Sequence, residues 1–84
     1  MNIEELRSKI DKIDTQLLKL LNQRMGIVFD VGKIKNASKE NVYRPEREKT
    51  IIDRLCGEAK EKLDIKSIRA IFQEIFAASR NIEL

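Results

Sequence analysis

The chain has 84 residues, of which 42% are hydrophobic, 37% charged and 5% aromatic, with three Gly and one Pro; this aliphatic and charged balance predicts an all-α single domain and excludes an all-β sandwich or two cores. One Cys and no His exclude an internal disulfide, a zinc site of the usual kind and any nucleophile that relies on a His base, so the support so small a core needs is expected from a partner chain. Seventeen basic and 14 acidic residues leave a net charge of +3 with the signs interspersed, too mild to argue for nucleic acid, and the amphipathic start and short apolar runs read as a soluble, cytoplasmic chain with no membrane partner.

Ile3, Leu6, Ile10, Ile13, Leu17 and Leu20, then Val28 and Val31, recur at spacings of three and four, which predicts one helix from about residue 3 to residue 37. At ~1.5 Å per residue it is roughly 50 Å long, more than the rest of the chain can cover, so part of its stripe is expected to meet another subunit. Gly26 and Gly32 inside it are read as points of close helix contact. The polar stretch from Asn36 to Tyr43 ends the pattern. Pro45, suited to a first helical position, opens a second helix with Glu46 and Glu48 near its N-terminus. That helix is predicted to run to about Lys62, burying Ile52, Leu55, Cys56, Ala59 and Leu63; the lone Cys56 is read as a small core or near-core residue. Asp64 is the predicted N-cap of a third helix over 65–83, with Leu63 and Ile68 as a hydrophobic staple. Ile68, Ile71, Phe72, Ile75, Phe76, Ser79 and Ile82 line its inner face. One long and two shorter helices thus form a single domain, 1–84.

The informative charges are those that interrupt the apolar stripe. Arg24 lies seven residues after Leu17 and four before Val28, where the pattern would otherwise place an aliphatic side chain. Lys35, eleven residues later, returns to within ~20° of it at about 100° per residue, so two cations and two valines share a face. Neither has an acidic residue four positions away. An unpaired buried cation is costly, and a bound anion would satisfy both; a register-fixing polar residue in a helix seam is the alternative reading. Gly26, Gly32 and Gly57 have no phosphate-loop spacing. An enzyme built from these residues works mainly by binding and electrostatics.

Four blocks in order, LRSKIDKIDTQLLKLLNQR, VGKIK, VYRPERE and IFQEIFAASRNIE, span essentially the whole chain and closely resemble the all-helical chorismate mutase family. In particular they resemble the mutase domain that begins bifunctional chorismate mutase/prephenate dehydratase proteins. The resemblance implies an intertwined homodimer with two active sites, each converting chorismate to prephenate in phenylalanine and tyrosine biosynthesis. The residue types suit that reaction. Chorismate is a dianion, and its rearrangement breaks a carbon–oxygen bond as a carbon–carbon bond forms within one molecule, without nucleophile, metal or redox cofactor. A catalyst can hold both carboxylates so that the side chain folds over the ring, and place donors where negative charge grows on the ether oxygen.

Residue by residue, the resemblance implies that Arg7 reaches a substrate carboxylate in the partner's site, Arg24 binds a carboxylate in its own, and Lys35 donates to the ether oxygen and a carboxylate. It likewise implies that Arg47 supports the anion electrostatically, Glu48 accepts from the ring hydroxyl, and Ser79 lies near a substrate carboxylate. Glu83 takes the place of the second donor to the ether oxygen, where family members carry Gln or Glu. Arg44 stands where some members carry Asp, and is left outside the catalytic set. Bifunctional relatives continue beyond this match into a dehydratase domain, where regulation by an aromatic amino acid would reside, so this chain alone is expected to be unregulated. Two other readings remain open at this point: an isochorismate pyruvate lyase of the same fold, and a non-catalytic helical dimerisation module.

Overall fold

The computed structural model describes residues 1–38, 44–58 and 62–83, except for the side chains of residues 36–38 and 83. Three helices make up the architecture: α1 (Ile3–Ser38), α2 (Pro45–Glu58) and α3 (Ile65–Glu83). Each starts where local chemistry satisfies its first amides. Asn2 Oδ1 accepts from the Glu5 amide at 2.8 Å, and Asp64 Oδ1 accepts from the Ser67 amide at 2.7 Å. That hydrogen bond from the Ser67 backbone N–H holds the exposed Asp64 carboxyl below its ordinary value of 3.8. Pro45 takes the first position of α2, and the Arg44 carbonyl accepts from the Arg47 and Glu48 amides, both at 3.1 Å. Of the stretch predicted to extend α2 to about Lys62, residues 59–61, with Ala59, lie outside the described residues, while Lys62 is described and is not helical.

α3 packs against both α1 and α2, and the small core it makes with them contains Ile51, Ile68 and Phe76. Four expectations change here. Ile51, which the predicted α2 face left out, is the buried residue of that helix, while Ile52, Leu55 and Cys56 are half-buried. Ile51 and Leu55 are four apart and share a face, so α2 is rotated slightly from the predicted register. Ile71 is exposed because the seam of α3 steps from Ile68 through Phe72, Ile75 and Phe76 to Ser79, which leaves Ile71 at its edge. Leu63 is exposed as well; it precedes the cap, off the helical stripe. Gly26 also departs from expectation, since it is exposed and a Cβ there would meet nothing within 4 Å in this chain.

The long dimension of the molecule, 54 Å, is that of α1. α3, with 19 residues, is roughly 28 Å long at ~1.5 Å per residue and covers about half of it. The uncovered half is apolar: Ile3, Ile10, Ile13, Leu17 and Leu20 are each between 52% and 62% exposed. Among the described residues no helix is long and apolar enough to cross a membrane.

Candidate active site

The C-terminal half of α1, the first turns of α2 and the last turns of α3 enclose a cleft of about 410 Å³, within the usual range for a small-molecule site. Its walls combine apolar surface from Val28, Val31, Ile51 and Phe76 with a concentration of charge. Arg24, Lys35, Arg44, Arg47 and Arg80 line it against one carboxylate, Glu48. The described lining thus carries a local excess of four positive charges, more than the +3 of the entire chain. Such a cleft concentrates anions, and its low-dielectric walls strengthen the attraction.

Arg24 is the best-defined of these groups. Its Nη1 donates to Ser79 Oγ at 2.8 Å, and its Cζ lies 5.7 Å from the centroid of the Phe76 ring. Ser79, 7% exposed, donates in turn to the Ile75 carbonyl at 2.8 Å, a back-bond typical of Ser within a helix. A hydroxyl has one hydrogen to give, so Ser79 serves this cleft chiefly by accepting from Arg24 and fixing its guanidinium. The hydroxyl also touches Met25 Sδ at 3.6 Å. The expectation that Arg24 and Lys35 lack protein partners is corrected, because both have them; the Ser79 partner of Arg24 lies on another helix, beyond the reach of spacing rules. Lys35 is half-buried in the last turn of α1, where the negative end of the helix dipole favours a cation.

Arg47 and Glu48 face the same cleft from the first turn of α2. Glu48 is tied to α3 by Arg80, whose Nη1 donates to Glu48 Oε2 at 2.5 Å. Sequence reasoning missed Arg80; the available signal was a basic residue next to Ser79 on the last turns of α3. Arg44, outside the predicted set, lines the cleft and pairs through Nε with Glu46 Oε1 at 3.0 Å. Glu46 is held below its ordinary value of 4.5 by a hydrogen bond from its own backbone amide and by Arg44. Arg7 is exposed on the uncovered half of α1 and does not line the cleft. It is 17 residues from Arg24, about 25 Å along the helix at ~1.5 Å per residue. Glu83 is the last residue of α3, and its side chain lies outside the described residues. Among the described residues no group of three or more His, Cys, Asp or Glu could hold a metal ion.

A family model described as chorismate mutase type II matches residues 6–84. The chain belongs to the type II chorismate mutase family. It is 40% identical over 76 residues to the chorismate mutase of Methanocaldococcus jannaschii, covering 84% of this chain and 77% of that one. It is 32% identical over 85 residues to the bifunctional chorismate mutase/prephenate dehydratase of Aquifex aeolicus, a match that takes in 96% of this chain but spans only 24% of that protein's length. The fold agrees: the chorismate mutase of Thermus thermophilus (form II) superposes with a TM-score of 0.94 at 31% identity, over 96% of this chain and 92% of that one. The chorismate mutase of Helicobacter pylori in complex with prephenate superposes with a TM-score of 0.90 at 31% identity, over 96% and 88%. The family implied by the four sequence blocks is therefore the family found.

Proposed function

We propose that this chain, as a type II chorismate mutase, rearranges chorismate to prephenate in the cleft between α1, α2 and α3. The observation that carries this reading is the cation-rich cleft itself, with Arg24 preset by Ser79 and Phe76. Arg24 and Arg47 hold the dianion, and Lys35 donates to the ether oxygen as negative charge grows there. Glu48 accepts from the ring hydroxyl. Because the reaction is intramolecular, freezing the side chain over the ring supplies the orientation part of the rate enhancement. Arg7 completes the site from a second copy of the chain, which covers the apolar half of α1; a lone helix end with that much exposed aliphatic surface is an interface. Neither substrate nor product requires a membrane, and we place the enzyme in the cytoplasm.

Purified protein is expected to consume chorismate with prephenate as the sole product, followed by loss of chorismate absorbance and by chromatography. Incubated with isochorismate, it is expected to release neither salicylate nor pyruvate, which separates it from a lyase of the same fold. A folded dimer inert toward chorismate would sink the proposal.

Glu83 sets the pH dependence in this reading. An ionised carboxylate has no hydrogen to give and repels the charge developing on the ether oxygen, whereas the protonated acid donates. The rate therefore falls as pH rises through the titration of Glu83, and Glu83→Gln, a permanent donor, flattens that fall. Turnover measured against pH for both proteins checks it: identical profiles would show that Glu83 does not touch the ether oxygen.

A further inference from the structure

The one carboxylate among the described cleft-lining residues is a hazard to the site as well as a contributor. Glu48 stands in the first turn of α2, beside Arg47 and within a cleft that Arg24 and Lys35 also line. A flexible carboxylate in that setting has several cations within the cleft to turn toward and no fixed direction of its own. What gives it one is on the opposite wall. Arg80, on α3 and 32 residues away in sequence, donates Nη1 to Glu48 Oε2 at 2.5 Å, with the two side chains 38% and 24% exposed. A partly buried charge-assisted bond between two helices fixes the carboxylate in place better than a fully exposed surface pair would.

We propose that Arg80 is a positioning residue: by holding Glu48 Oε2 it keeps the carboxylate aimed at the ring hydroxyl. This inference rests on the reading of the chain as a chorismate mutase. It separates two functions of the cleft, since recognition of the hydroxyl depends on the Arg80–Glu48 pair while recognition of the carboxylates does not. Substrates that differ only at the hydroxyl therefore report on Arg80.

The test compares wild type, Arg80→Ala and Arg80→Lys with chorismate and with an analogue in which hydrogen replaces the ring hydroxyl. With chorismate, Arg80→Ala is expected to lower kcat/KM about tenfold to a hundredfold, the fold-change that corresponds to losing a hydrogen bond between charged groups. With the analogue the loss is expected to be under about threefold, because the contact that Arg80 supports is absent. Arg80→Lys, which keeps the charge without the planar fork, is expected to recover part of the activity toward chorismate. In a Glu48→Ala background, adding Arg80→Ala is expected to cost less than about threefold further. Circular dichroism and size exclusion verify that each variant folds and assembles as wild type does. Equal losses on chorismate and the analogue, or additive losses in the double variant, would overturn the proposal and assign Arg80 to the substrate carboxylates or to the fold. Wild type inactive on chorismate would overturn the functional reading and this inference together, so the two failures are distinguishable.

Discussion

Arg24→Ala and Lys35→Ala are each expected to lose most of the turnover of chorismate, about 10² to 10³ in rate, while keeping the helix content and oligomeric state of wild type. Removing one preorganised charged donor from such a site typically raises the barrier by ~2.7 to 4 kcal/mol. For Arg24 the preorganisation is visible: the bond to Ser79 at 2.8 Å and the Phe76 ring beneath the guanidinium hold it before any substrate arrives. Arg24→Lys is expected to restore little, because a point charge reproduces neither the planar fork nor its stacking on the ring. Lys35 has fewer described supports, and its effect comes from its place in the cleft eleven residues along the same helix face. Chorismate consumption under saturating substrate, alongside size exclusion, checks both. Near-wild-type turnover in either variant would refute its role.

The second large effect is a recovery. Arg7→Ala and Arg24→Ala are each expected to be nearly inactive alone, yet unfolding and refolding them together is expected to restore activity. Arg7 stands on the uncovered half of α1 and away from the cleft its own chain forms, so in the proposed reading it serves a site by crossing to a partner. A mixed dimer then holds one site with both arginines intact and one with neither. Random pairing of equal amounts makes half the dimers mixed, which limits recovery to about a quarter of wild-type activity. Mass spectrometry verifies the mixed dimers. Their presence without recovery would place Arg7 in the site of its own chain.

Much of this molecule follows from contacts within a turn or two of helix. The starts of the helices depend on Pro45 and Asp64, whose neighbourhood bonds reach at most four residues along the chain, so reading along the chain finds them. Arg24 and Lys35 fall on one face because eleven residues make close to three turns of helix. The excess length of α1 was equally visible, because a helix of 36 residues cannot be covered by the two shorter ones that follow. The four sequence blocks carried the family and, by resemblance, the roles proposed for residues that spacing alone would leave as surface charges, Arg47 and Glu48 among them.

Only the tertiary structure decided which groups hold which. Ile51 and Ile52 are about 100° apart around α2, so a modest turn of the helix decides which of them enters the core, and the packing of α3 selects it; periodicity in a 14-residue helix cannot. Ser79 could be read from sequence as a small packing residue or a substrate contact, yet its bond to Arg24 joins residues 55 apart. The pair between Arg80 and Glu48 joins residues 32 apart. The amino-acid sequence by itself thus determined the helices, their starts and the shared face of Arg24 and Lys35, since these arise from hydrogen bonds and periodicity local to the chain. The tertiary structure alone decided the partners of Arg24 and Glu48 and the register of α2, because those depend on how separate helices meet across the cleft.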